Sequence, residues 1–125
     1  AKVMLAPGMP GRQKLNFFKP ENFPLAADQF REQMQYKGFS RAIHSSLKTI
    51  ITADHVERYQ QLAAKKKSTL LIWGEEDQVV PFAESSRVRQ ALANVEFIPV
   101  AEAGHAPQSE QPGVVNAAFL NWLAK

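Results

Sequence analysis

Thr69-Leu-Leu-Ile-Trp-Gly-Glu-Glu-Asp77 is the stretch whose reading decides the fold. Leu70 to Trp73 are apolar and run into Gly74 and then three carboxylates, the pattern of a buried parallel strand that ends in a loop at its carboxyl edge. The design returns further along: Val95-Glu-Phe-Ile-Pro-Val100 reads as a second short strand, and Ala101-Glu-Ala-Gly104-His105 as the loop leaving it. Open α/β sheets gather their chemistry at the carboxyl ends of the strands, so an acid and a histidine are expected to face each other across one sheet edge. A carboxylate that holds an imidazole fixes its tautomer and stabilises its cation, which a general base needs when it takes a proton from a nucleophile.

Between and beyond these strands the text is helical. Phe82 to Ala93, after Pro81, sets Val88, Ala91 and Leu92 at helical spacing among polar residues, which predicts a surface helix against the sheet. Pro112 opens a closing amphipathic helix through Val114, Val115, Ala118, Phe119, Trp122 and Leu123. Upstream, residues 15 to 64 read as two or three amphipathic helices: Phe30 and Met34 stand four apart, as do Phe39 and Ile43, and Leu47 and Ile51 continue that face. Asp54 with Glu57 has the spacing of a capping pair, opening a helix through Tyr59, Leu62 and Ala63. Residues 1 to 14 begin with an apolar run and break at Pro7-Gly8 and Pro10-Gly11, which predicts a short strand over Val3 to Ala6 and an exit loop.

The order strand, loop, helix, strand, loop, helix in residues 68 to 125 resembles the C-terminal part of the α/β-hydrolase-fold enzymes. Their usual text is an apolar strand, W-G-x-x-D, a proline, a helix, a strand, then G-H-x-x-x-x-E-x-P and a helix ending Phe-Leu. Trp73-Gly74-Glu75-Glu76-Asp77, Pro81, Gly104-His105, Glu110, Pro112 and Phe119-Leu120 fill those slots in order. Taken alone, Glu75, Glu76 and Asp77 compete for the acid's role; the resemblance selects Asp77 as triad acid and His105 as triad base, and gives Glu110 a structural place between loop and helix. It implies no cofactor and no metal. It further implies an α/β fold of parallel strands with helices on both faces: residues 1–14 as core strand and exit loop, 15–64 as a helical cap over the substrate pocket, and 65–125 as the end of the core.

The nucleophile expected by the same resemblance lies on a sharp strand-to-helix elbow, G-x-S-x-G or a variant, ahead of the acid and the histidine. None of Ser40, Ser45, Ser46, Ser68, Ser85, Ser86 and Ser109 has a glycine two residues away on both sides. A whole fold of this kind is about twice the length of these 125 residues or more. The expectation is therefore the second half of a hydrolase, inactive alone and completed by an N-terminal half of the same fold. A carboxylesterase or lipase-like serine hydrolase working on a small apolar ester-like substrate leads. Epoxide hydrolases, haloalkane dehalogenases and carbon–carbon bond hydrolases share the tail, and what separates them is the elbow residue. In the other class stands a non-catalytic α/β assembly or binding module, whose open sheet edge would pair with another chain, a second copy included.

Composition excludes several alternatives. The net charge is +3, and Lys65-Lys66-Lys67, without interleaved aromatics, predicts a solvated lead-in to a strand and no nucleic-acid partner. There is no cysteine, hence no disulfide, thiol nucleophile or thiolate metal site. No apolar run approaches a membrane span, and the default compartment is cytoplasmic. Phe17, Phe18, Phe23, Phe30, Met34, Tyr36 and Phe39 are candidates for an apolar pocket lining, although each alone reads as packing. His44 and His55 lie in helical text with exposed or capping roles expected.

Overall fold

The computed structural model describes residues 8–52, 55–92 and 94–125, with side chains described outside 50–52. At its centre β1 (Thr69–Gly74) pairs in parallel with β2 (Val95–Val100), in a register that sets Thr69 against Val95 and Gly74 against Val100. Both strands therefore end flush. Alternation along a pleated strand sends Ile72, Ile98 and Val100 to one face and Trp73 and Phe97 to the other.

Each face is covered by a helix. On the first, Val115 of α7 (Pro112–Leu123) joins Val100 and Ala103 in a buried cluster with Ile72 and Ile98 packed against it. On the second lies α5 (Ser85–Ala91), entered through a 3-10 turn at Phe82–Glu84. Phe82 packs on Phe97 with ring centres 6.1 Å apart, and the Arg89 guanidinium lies 4.6 Å from the same ring. Val88 and Leu92 are buried beneath α5. Val100 is 1% exposed, and Val100→Ala is expected to cost about 2 kcal/mol through lost burial and the cavity left behind, read as a lower urea midpoint at unchanged slope.

The remaining helices precede the sheet: α1 (Met9–Arg12), α2 (Ala26–Gln33), α3 (Phe39–Thr52) and α4 (His55–Ala64), with 3-10 turns at Gln13–Asn16 and Pro20–Asn22. Phe17 stacks on Phe23 at 4.1 Å, and Phe30 meets Phe39 edge-on at 5.6 Å. The expected exit loop over 8–14 is instead the turn of α1 and the 3-10 turn after it. Pro10 sits in the first helical turn, where its missing N–H leaves no bond unmade, and Arg12 N–H bonds back to Gly8 O at 3.1 Å. A four-residue helix, α6 (Pro107–Glu110), also occupies what the sequence reads as loop. The strand expected over Val3 to Ala6, the cap residue Asp54, the side chain of Ile51 and Ala93 all lie outside the described residues.

Much apolar surface stays uncovered. Val114, Phe119, Leu120 and Leu123 of α7 are 47–63% exposed. Among the described residues the sheet has two strands, so each strand has one outer edge without a neighbour. No helix among them is long and apolar enough to cross a membrane.

Candidate active site

The flush strand ends carry their two loops out side by side. Glu75 N–H donates to Val100 O and Glu76 N–H to Ala103 O, both at 3.0 Å, so the acidic loop continues the pairing of the sheet into the histidine loop. Three residues beyond Gly74 and five beyond Val100, Asp77 and His105 meet, with Oδ2 2.8 Å from Nδ1.

Asp77 is held at both oxygens. Its Oδ1 accepts the N–H groups of Val79 and Val80 at 2.8 and 2.9 Å, a local turn that the short aspartate side chain closes on its own backbone. The other oxygen is aimed at the imidazole. The Asp77 side chain is 5% exposed and that of His105 44%, so the acid is buried behind a ring that reaches the surface. A carboxylate only accepts, so Nδ1 carries the proton of this bond and Nε2 presents its lone pair. That is the tautomer of a general base.

The neighbouring acids do different work. Glu76 Oε2 accepts Ala103 N–H at 3.0 Å, and Glu110 Oε1 accepts Gly104 N–H at 2.6 Å, so two carboxylates cap successive amides just before His105. Glu110 Oε2 also accepts Phe18 N–H at 2.6 Å, from a segment far away in sequence. Glu75 is exposed. In the sequence Glu76 reads only as a competitor for the acid's role and Glu110 as structural; their spacing to a histidine loop carries no signature, because what they bind is backbone.

Two glycines make this convergence possible. A Cβ on Gly74 would lie 2.0 Å from Gly104 O and 2.3 Å from Ala103 O, and one on Gly104 would lie 2.9 Å from Asn16 O and 3.0 Å from Phe18 N. Between them Glu102 adopts a left-handed backbone, φ 53°, which turns the chain sharply after β2.

Beside the pair opens a pocket of about 500 Å³ whose wall includes His55, Tyr59, Trp73, Val80 and Pro107 together with Asp77 and His105. Trp73 is fixed in that wall by its indole N–H, which donates to Val80 O at 3.2 Å. The seven residues singled out as a possible apolar lining are not in this wall: Phe17 with Phe23 and Phe30 with Phe39 pack on each other, and Tyr36 is 64% exposed. Instead α4 supplies His55 and Tyr59. His55, read from sequence as exposed or capping, is partly buried there, while His44 is exposed on α3.

No family model matches the chain. It is 35% identical over 64 residues to the uncharacterized hydrolase YugF of Bacillus subtilis (strain 168), a match over 51% of this chain and 23% of that protein. It is 34% identical over 65 residues to the 2-hydroxy-6-oxononadienedioate/2-hydroxy-6-oxononatrienedioate hydrolase of Escherichia coli (strain K12 / DH10B), over 52% of this chain and again 23% of the relative. The matches thus span less than a quarter of the length of either relative. Among solved structures, that of MGS-M2, an alpha/beta hydrolase enzyme from a Medee basin deep-sea metagenome library, superposes with a TM-score of 0.63 at 24% identity, over 84% of this chain and 36% of that one. With parallel strands, helices on both faces and hydrolases as its sequence relatives, the chain has the α/β-hydrolase fold and carries the C-terminal part of it.

Proposed function

We propose that Asp77 and His105 are the acid and base of a Ser-His-Asp triad, and that the serine and the oxyanion donors come from the part of the fold outside these 125 residues. One observation carries this reading: a buried carboxylate, tied down at one oxygen by two backbone amides, holds Nδ1 of an exposed imidazole at 2.8 Å beside an open pocket. In the reaction His105 Nε2 takes the proton of the serine hydroxyl as its oxygen attacks the substrate carbonyl. The imidazolium, stabilised by Asp77, then gives that proton to the leaving group. Water repeats the cycle on the acyl-enzyme. No step calls for a metal or cofactor.

The strand edges left without a neighbour among the described residues and the apolar outer side of α7 support completion by the rest of the fold, since hydrocarbon and unpaired amides would otherwise face water. The helices over residues 15–64 act as a cap, whose last member, α4, supplies part of the pocket wall. The substrate is a small apolar carbonyl compound seated against Trp73, Val80, Pro107 and Tyr59. Tyr59→Ala in the full-length protein is expected to raise KM roughly tenfold with kcat within about threefold, because the ring contributes to binding in ground and transition state alike.

A second reading is favoured by the Escherichia coli relative, named for hydrolysis of 2-hydroxy-6-oxo dienedioates. Such a compound has no ester, so its hydrolysis breaks a carbon–carbon bond next to a ketone. Parallel assays of the full-length protein on p-nitrophenyl esters and on a 2-hydroxy-6-oxo-dienoate separate the two. Turnover of either that is abolished in His105→Ala supports the triad; turnover that survives the substitution refutes it.

A further inference from the structure

The loop that presents His105 is held by more than its own strand. Gly104, the residue before the histidine, donates its N–H to Glu110 Oε1 at 2.6 Å, and the other oxygen of the same carboxylate takes the N–H of Phe18 at 2.6 Å. Phe18 lies in Asn16–Lys19, the segment between α1 and α2. That segment is laid directly across the histidine loop, as shown by the 2.9–3.1 Å that a Cβ on Gly104 would leave to Asn16 O, Phe18 N and Phe17 C. A second tie runs parallel: Lys19 Nζ pairs with Glu102 Oε1 at 3.0 Å, and Glu102 is the left-handed residue of that loop. Phe17 stacks on Phe23, between the Pro20–Asn22 turn and α2.

From this juxtaposition we infer that Glu110 is a positioning residue for the reaction: its carboxylate locks the His105 loop to the Asn16–Lys19 segment, so that the base of the helical cap sets the angle at which the imidazole meets Asp77. The inference rests on the hydrolase reading for its consequence in catalysis, although the coupling itself does not. Glu110 is one of two carboxylates on the loop's amides, but Glu76 reaches Ala103 from the acidic loop of the same sheet edge. Among the described residues Glu110 is the one whose side chain bonds backbone amides on both sides, Gly104 of the histidine loop and Phe18 of the cap side; the Lys19–Glu102 pair adds an exposed contact between side chains. A carboxylate suits the task because both oxygens accept, and charge-assisted bonds to amides are the shorter and stronger kind. Glutamine offers one acceptor and one donor, so in Glu110→Gln one of the two amides faces an N–H group. Aspartate keeps the charge but is one methylene shorter and reaches only one of them.

The test uses the full-length protein with Glu110→Gln and Glu110→Asp, measuring kcat and KM per folded molecule together with the proton resonance of His105 Nδ1–H. The expected result is a ten- to hundredfold fall in kcat with KM within twofold for the glutamine variant, a smaller fall for aspartate, and a shifted or exchange-broadened His105 resonance in both. The readouts also separate this inference from the one beneath it: if His105→Ala leaves turnover intact, the hydrolase reading fails, while the resonance still reports whether Glu110 sets the ring. Should the glutamine variant not fold, the aspartate variant decides alone. Lower thermal stability with unchanged kcat and an unchanged resonance would overturn the inference and leave Glu110 as a structural brace.

Discussion

His105→Ala in the full-length protein is expected to lower kcat by about 10⁶-fold, the scale at which loss of a triad base removes the whole unit. The proposed triad gives the reason: with Nδ1 committed to Asp77 at 2.8 Å, Nε2 is left to take the nucleophile's proton. Asp77→Asn is expected to cost roughly 10⁴-fold. The amide keeps an oxygen for the Val79 and Val80 N–H groups, so the turn survives, but it turns an N–H toward Nδ1. The ring then carries its proton on Nε2 and has no lone pair for the substrate side. Combined in one molecule, the two changes are expected to cost no more than His105→Ala alone, because the acid acts only through the base. Single-turnover kinetics on the three variants checks this, and additive losses would mean that Asp77 works on something other than His105.

Gly74→Ala is expected to destabilise the protein by roughly 3 kcal/mol and to reduce activity with it. The added methyl would stand 2.0 Å from Gly104 O and 2.3 Å from Ala103 O, which are backbone atoms with no rotamer to yield. Relief requires β1 and the histidine loop to separate, breaking the bonds that carry Glu75 and Glu76 onto Val100 and Ala103. Gly113→Ala is the control: nothing lies within 4 Å of that Cβ, and its place in the first turn of α7 makes a gain of about 0.5 kcal/mol the expected outcome. Urea denaturation of both variants tests the pair. Equal stabilities would show that the close approach of the two loops does not hold in solution.

The strands and their loops were legible because each level of signal agreed. An apolar run, a glycine and a carboxylate for β1, and an apolar run, a glycine and a histidine for β2, state burial, turn and chemistry in one line of text. What joins the loops was not legible. Glu76 and Glu110 spend their side chains on the backbone of Ala103, Gly104 and Phe18, and an acceptor for a distant amide looks in sequence like any surface acid. The pocket wall is not legible for a related reason: aromatic residues announce burial but not direction, and Phe17, Phe23, Phe30 and Phe39 follow the packing reading and turn toward each other, while α4 delivers Tyr59 and His55. Pro10 was read as a break although the first turn of a helix asks nothing of its missing N–H.

The central claim, that Asp77 and His105 activate a serine held elsewhere in the fold, is tested most directly by phosphonylation. The full-length protein and its His105→Ala variant are treated with a fluorophosphonate, and the adduct is located by peptide mass mapping. A single adduct is expected on a serine outside these 125 residues, formed at least about 10³-fold faster with His105 present. An adduct on Ser40, Ser45, Ser46, Ser68, Ser85, Ser86 or Ser109, or a labelling rate indifferent to His105, would contradict it.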